Sequence, residues 1–291
     1  MRILPGSSNR ALSENLSTML DARLVQVQIE RFPDGELYCR LLEDIDGEDV
    51  ILVQSTYPDS SIVEFLILAQ LARDSGAETV TGVIPYYGYS RQDRVFKEGE
   101  SFTARTMALH LQRNLDNVIC VNLHKESVLS EFSDVENAIH VSVMGVVGEF
   151  LGNAGIDYVL SPDKGAIGYA REAAGVLGCR FEHLEKTRLN GSTVTVAPKD
   201  LPVRGRKVCI VDDIIATGGT ILKAQESLRI QGALEVYACC AHGLFTGGGQ
   251  DRLEPVLDGL YCSDTIEGPC SSFSAARPVA EAVEKLFGVD E

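Results

Sequence analysis

An α/β architecture of two doubly wound, mostly parallel sheets is predicted by three features of the sequence. Short runs rich in Val and Ile alternate with stretches of helical period along all 291 residues. The apolar runs are continuous rather than alternating, as strands covered on both faces must be. The length also favours two domains, at about 150 residues each.

In chain order, Asp49–Gln54 reads as a buried strand. Residues 60–75 keep Ile62, Phe65, Leu66, Ala69 and Leu71-Ala72 at helical spacing. A strand over Val80–Pro85, a helix over Phe102–Asn114 and a strand over Asn117–Leu123 follow. The second half predicts strand Tyr158–Leu160, helix Lys164–Leu177, strand Val208–Val211, helix Thr220–Gln231, strand Leu234–Cys240 and helix Arg277–Phe287. Two segments stand outside this rhythm. Glu30–Arg40 reads as a hairpin around Asp34-Gly35, and Thr187–Pro202, with Asn190-Gly191, as a hairpin or flap. A boundary in the 141–151 stretch gives domains 1–145 and 146–291.

Composition removes several function classes. No apolar run reaches the roughly 18 residues of a membrane-spanning helix. Pro5 and Gly6 cut short the only N-terminal apolar pair, so no signal peptide is expected. A formal charge of −16 disfavours binding to nucleic acid or to an anionic membrane, both of which need a basic surface. Small anionic ligands respond to local fields and remain possible. The eight cysteines include no Cys-x-x-Cys pair, and Cys120, Cys209, Cys239 and Cys240 lie in apolar runs. Such thiols behave as small buried hydrophobes, so neither disulfides nor zinc are expected. A cytoplasmic protein is expected.

The sharpest local signal is Val208–Thr220, where four apolar residues lead into Asp212-Asp213 and Thr217-Gly218-Gly219-Thr220 opens a helix. Glycines let backbone amides approach an anion, threonine hydroxyls donate, and the helix N-terminus supplies positive potential. Two carboxylates beside a phosphate suit the hydroxyls of an attached sugar. An ordinary capped turn needs less than this pattern specifies. No Gly-Lys-Ser/Thr follows, so this is not a Walker A loop.

The segment resembles the phosphoribosyl-pyrophosphate loop of the type I phosphoribosyltransferase superfamily. Four others, Arg31–Glu36, Pro85–Arg94, Asn122–His124 and Ser161–Gly165, come in the order found in the ribose-phosphate pyrophosphokinase family. The resemblance covers nearly the whole chain, and Ser161-Pro162-Asp163-Lys164-Gly165 and the short length look like the archaeal members. It implies two domains of the type I phosphoribosyltransferase fold. The implied reaction passes the β,γ-pyrophosphoryl group of ATP to the 1-hydroxyl of ribose 5-phosphate.

Site residues follow from the same resemblance. Ala216, Thr217, Gly218, Gly219 and Thr220 would hold the 5-phosphate, with Asp212 and Asp213 on the 2- and 3-hydroxyls and Arg188 also at this ligand. Arg91 and Gln92 would contact ATP. Phe32, Asp34, Gly35 and Glu36 would reach adenine from a neighbouring subunit, making the enzyme a homodimer or larger with its site at an interface. His124 and Asp163 would ligate Mg²⁺, and Lys186 and Arg188 would be the catalytic cations. By spacing alone that pair is an ordinary hairpin edge. Its place between the Ser161 and Asp212 segments reverses this. His110, His140, His183 and His242 are expected to be surface or core residues. Two departures stand out: Ala216 replaces a commonly polar residue, and Asn122 a common Asp. Two alternatives are a phosphoribosyltransferase that consumes phosphoribosyl pyrophosphate, and a non-catalytic synthetase-associated subunit.

Overall fold

The computed structural model describes residues 1–190, 193–197 and 201–288, and between 185 and 197 the backbone alone. The chain divides into two units. The first holds Met1–Ser142, Asp264–Glu267 and the segment from Ser274 on; the second holds Val143–Ser263 and Gly268–Phe273.

Unit 1 begins with β1 (Arg2–Pro5), α1 (Arg10–Met19) and β2 (Arg23–Leu24). Next comes the hairpin of β3 (Val27–Arg31) and β4 (Leu37–Leu41), paired Arg31 to Leu37 around Gly35, whose φ of 93° suits glycine. The unit continues through β5 (Asp49–Val53), α2 (Asp59–Asp74), β6 (Thr79–Ile84), α3 (Thr103–Leu111), β7 (Asn117–Val121) and β8 (Asn137–Val141). Its main sheet has the order β2-β1-β5-β6-β7-β8, parallel throughout. Every residue of β7 is buried, which explains the unbroken apolar run. On α2, Phe65, Ala69 and Ala72 of the expected apolar set are buried together with Leu68, while Ile62, Leu66 and Leu71 pack against the core half-buried.

Unit 2 repeats the plan with α4 (Met144–Asn153), β9 (Tyr158–Ser161), α5 (Ile167–Leu177) and β10 (Arg180–His183). The antiparallel pair β11 (Glu185–Asn190) and β12 (Thr193–Ala197) stands apart as its own ribbon. Then come β13 (Lys207–Ile215), α6 (Gly219–Ile230), β14 (Glu235–Gly243), the short α7 (Gly249–Leu253), β15 (Gly259–Ser263) and β16 (Ser271–Phe273). The sheet order is β10-β9-β13-β14-β15-β16, again all parallel. In each unit the strand order reverses at an interior pair, β1/β5 and β9/β13. Open α/β sheets bind ligands outside the strand ends at such switch points.

Two differences from the sequence reading have physical reasons. The strand expected at Val208–Val211 runs on to Ile215, because β14 supplies partners as far as Gly243. Both aspartates are therefore strand residues. The helix expected to end a second domain, α8 (Ala276–Phe287), belongs to unit 1, where it packs on α1 and β8. The expected Asn190-Gly191 turn falls partly outside the described residues.

Besides the buried apolar face of α8, polar bonds tie the late segments into unit 1. The Nδ2 of Asn9, fully buried, donates to the carbonyls of Asp264 and Thr265 at 3.2 and 2.9 Å, while its Oδ1 accepts from the Ser55 amide at 2.9 Å. Glu267 Oε1 accepts from the Ala11 amide at 2.7 Å and so caps α1 from far along the chain. Asp264 Oδ1 accepts from the Ala275 amide at 2.8 Å beside the start of α8. Asn9→Ala should cost about 2 kcal/mol in urea unfolding, since it takes the donor from the Asp264 carbonyl, at roughly 1–3 kcal/mol, while the Ser55 amide keeps Ser8 Oγ and the Thr265 carbonyl keeps Ser55 Oγ. A loss below about 1 kcal/mol would mean the network is dispensable.

Candidate active site

The switch point of unit 2 gathers the predicted sugar-phosphate residues. Asp213 is buried and Asp212 half-buried at the end of β13. The Asp213 amide donates to Asp212 Oδ1 at 3.0 Å, and the Ile214 amide to Asp213 Oδ1 at 2.9 Å. Burial, and then the carboxylates of Asp213 and Asp163, hold the Asp212 carboxyl well above its usual range. Asp163 therefore shares the electrostatic environment of the pair, although β9 carries it there. Its Oδ1 accepts from the amides of Gly165 and Ala166 at 2.8 and 3.2 Å, which turns the chain into α5.

One residue at this cluster escaped the sequence reading. Burial, followed by Asp213 and Asp212, pushes the Tyr169 phenol upward, so it stays a proton donor beside the two acids. It sits on α5 amid an ordinary amphipathic pattern, and no local motif marks it.

Beyond β13, Ala216–Gly218 make the turn into α6. Gly218 is left-handed with φ 78°, and a Cβ there would stand 2.7 Å from Leu253 Cδ1, so no other residue fits. The first helical bond runs from the Leu222 amide to Gly218 O at 3.0 Å. The amides of Thr217 through Ile221 thus meet no acceptor among the described residues. Such a set of donors at a helix N-terminus is an anion cradle. Ala216 contributes only backbone, consistent with the loss of a side-chain contact there.

The remaining predicted residues lie on unit 1 and on the ribbon. Arg91 is exposed, while Gln92 is anchored: its amide donates to Tyr89 O at 3.0 Å and its Oε1 accepts from Thr103 Oγ1 at 3.1 Å. Behind them Tyr86 and Tyr87 are buried, with the Tyr87 hydroxyl donating to Ala104 O at 2.8 Å. Phe32, Asp34, Gly35 and Glu36 form the exposed tip of the β3–β4 hairpin, Phe32 edge-on to Tyr38 at 5.8 Å. Among the described residues no hydrogen bond or ion pair joins this tip to Arg91 or Gln92. His124 follows β7. Asn122 nearby is buried in a left-handed conformation (φ 42°) that asparagine tolerates better than most residues. Lys186 and Arg188 lie on β11 opposite Val196 and Val194. Their side chains fall outside the description.

The expected core histidine is borne out at His242, buried on β14. The eight cysteines are all free thiols. No helix among the described residues is long and apolar enough to cross a membrane.

Comparison with known proteins bears on both units. Residues 1–114 match the N-terminal domain of ribose phosphate pyrophosphokinase, and residues 139–274 a phosphoribosyl transferase domain. The ribose-phosphate pyrophosphokinase of Methanopyrus kandleri is 42% identical, covering 99% of this chain and 100% of that protein. That of Methanosarcina acetivorans is 37% identical, covering 98% and 100%. A crystal structure of phosphoribosylpyrophosphate synthetase from Mycobacterium smegmatis superposes with a TM-score of 0.84 over 99% of both chains; at 24% identity it speaks to the fold alone. With both domains matched in order and relatives aligned end to end, the chain belongs to the ribose-phosphate pyrophosphokinase family.

Proposed function

We propose that this enzyme passes the β,γ-pyrophosphoryl group of ATP to the 1-hydroxyl of ribose 5-phosphate, releasing AMP and 5-phosphoribosyl 1-pyrophosphate. The observation that carries the reading is the acceptor-free amide turn after two acids at the switch point of unit 2. It supplies a phosphate cradle next to acceptors for sugar hydroxyls. A phosphoribosyltransferase would not need the N-terminal domain that residues 1–114 match. A silent subunit would have no need of Lys186, Arg188 and both aspartates.

The 5-phosphate would sit on the amides of Thr217 through Ile221, with the Thr217 and Thr220 hydroxyls adding donors. Asp212 and Asp213 would accept from the 2- and 3-hydroxyls, fixing the ring so that the 1-oxygen faces the β-phosphorus. As that oxygen bonds to phosphorus, the bond from the β-phosphorus to the oxygen bridging it to the α-phosphate breaks, and charge gathers on AMP. Lys186 and Arg188 would balance this charge. Closure of the β11–β12 ribbon would keep out the water that otherwise hydrolyses ATP. Arg91 would contact phosphate oxygens and Gln92 the nucleoside. The exposed hairpin tip with Phe32, Asp34, Gly35 and Glu36 would cover the adenine of a neighbouring subunit, making the functional form a homodimer or larger.

Mg²⁺ suits the acidic crevice of unit 2. Among the described residues no three potential ligands form a dedicated cage. The mutual repulsion of Asp163, Asp212 and Asp213 nevertheless makes the crevice favourable to a hard dication. His124 and Asp163 would hold it, with waters and ATP oxygens completing its shell, and it would draw negative charge off the transferred phosphates. The free thiols agree with a reducing cytoplasm.

Purified protein given ATP, Mg²⁺ and ribose 5-phosphate should release AMP only when the sugar phosphate is present; sugar-independent AMP would overturn the assignment. Lys186→Ala or Arg188→Ala should lower kcat by about two to four orders of magnitude while ribose 5-phosphate affinity barely moves. Asp212 supplies a pH test. Its raised folded pKa means that ionisation costs the ligand-free fold stability as pH climbs above about 4, and that nothing is lost below. Asp212→Asn should therefore melt above the parent at pH 8, converge with it as pH falls toward 4, and bind ribose 5-phosphate more weakly. A constant melting difference across this range would show that the carboxyl is not strained.

A further inference from the structure

A second loop lies beneath the cradle, and no substrate role has been given to it. After β14 the chain turns through Phe245, Gly247 and Gly248, all left-handed with φ between 46° and 73°, before entering α7. The amides of Leu244 and Phe245 both donate to Ile215 O, at 3.1 and 3.2 Å, so this loop is tied to the end of β13 where the cradle begins. Gly249 then passes close under the turn: a Cβ there would stand 3.0 Å from Thr217 O and 3.4 Å from Ala216 O. From α7, Arg252 reaches back. Its Nη2 donates to Thr217 O at 2.8 Å, and its Nη1 donates to Gly247 O.

The geometry of the peptide bond gives this contact a consequence. In a trans peptide the C=O and the following N–H point in opposite directions. The Thr217–Gly218 bond is trans; among the described residues only Tyr57–Pro58 is cis. With Thr217 O turned down onto Arg252, the Gly218 N–H is turned up, away from α7 and into the cradle. The guanidinium is planar and spans two carbonyls at once, so it fixes the tilt of this peptide and its distance from the neighbouring loop. Glycine at 218 has no side chain to resist a flip of that plane, and such a flip would aim a carbonyl oxygen at the incoming phosphate.

We propose that Arg252 is a positioning residue for ribose 5-phosphate: by clamping the carbonyls of Thr217 and Gly247 it keeps the Gly218 amide aimed at the 5-phosphate. This rests on the cradle assignment above. Arg252 does not touch the ligand and takes no part in the transfer of the pyrophosphoryl group. Its contribution is to the affinity for the sugar phosphate, and binding of ATP is independent of it.

The test compares the full-length parent with Arg252→Ala, Arg252→Lys and Gly249→Ala, by calorimetric titration with ribose 5-phosphate and by steady-state kinetics. Loss of a charge-assisted hydrogen bond predicts a rise of about 10- to 100-fold in Kd and KM for ribose 5-phosphate in Arg252→Ala. KM for ATP and kcat at saturating sugar should stay within about threefold. Millimolar guanidinium should restore part of the affinity. Arg252→Lys, keeping the charge without the two-carbonyl fork, should fall between the two and carries the test if the alanine variant does not fold. Gly249→Ala presses on the same carbonyls from below and should raise the same KM with Arg252 intact. Unchanged affinity in Arg252→Ala, or a fall in kcat at unchanged affinity, would overturn the positioning role. A parent chain that fails to bind ribose 5-phosphate at all would instead overturn the cradle assignment.

Discussion

The constraint on which this molecule turns is the placing of two adjacent carboxylates at the end of a buried parallel strand. Asp212 and Asp213 follow four residues sealed from solvent, and Asp163 adds its charge from the neighbouring strand. Burial and the two neighbouring carboxylates make Asp212 resist ionisation. The same crevice holds the opposite imbalance a few residues on, where the amides opening α6 meet no acceptor among the described residues. Clustered carboxylates and unmatched donors thus sit side by side.

Both units share one strand order, and they treat the switch point differently. In unit 1 the chain fills its own crevice. Glu64, nearly buried on α2, accepts from the Ser7 amide at 2.6 Å and the Ser7 hydroxyl at 2.7 Å. Gln54 Oε1 accepts from the Ser8 amide and hydroxyl, and Asn9 closes the cluster against Ser55 and the Asp264–Thr265 strand end. Among the described residues, unit 2 has no such plug over Thr217–Ile221. A single topology can therefore serve as a sealed polar core or as an open cradle, according to whether long polar side chains reach its strand ends.

Rigidity beneath the cradle comes from backbone contacts of low sequence complexity. Gly218 and Gly249 bring two loops within van der Waals distance, Leu253 packs under the first, and Ile215 O holds the second by two amides. Preorganised dipoles bind developing charge without having to rearrange, so a scaffold that prevents peptide rotation contributes directly to ligand affinity. The β11–β12 ribbon that carries Lys186 and Arg188 is by contrast a two-stranded sheet of its own, outside the six-stranded one.

Much of the site was legible in the residues because its chemistry is local. Asp-Asp before Thr-Gly-Gly-Thr needs only one strand, one turn and one helix start to become a cradle, and those form from short-range pattern. The interior strands β5, β6, β7, β13 and β14 announced themselves for a related reason: burial on both faces demands an unbroken apolar run. Edge and flanking strands such as β2, β8, β10 and β16 are too short or too exposed to leave that mark. Tyr169 and Arg252 meet the cradle only after folding, one across a helix face and the other through a backbone carbonyl. The capping of α1 by Glu267 and the return of α8 to unit 1 likewise depend on contacts between residues about 250 apart in sequence, which no local period can encode. The sequence by itself determined where a buried strand, a glycine turn and a helix start follow one another, because propensity and burial act over a few residues. Tertiary structure alone decided what holds that backbone still, because the groups that do so arrive from elsewhere in the chain.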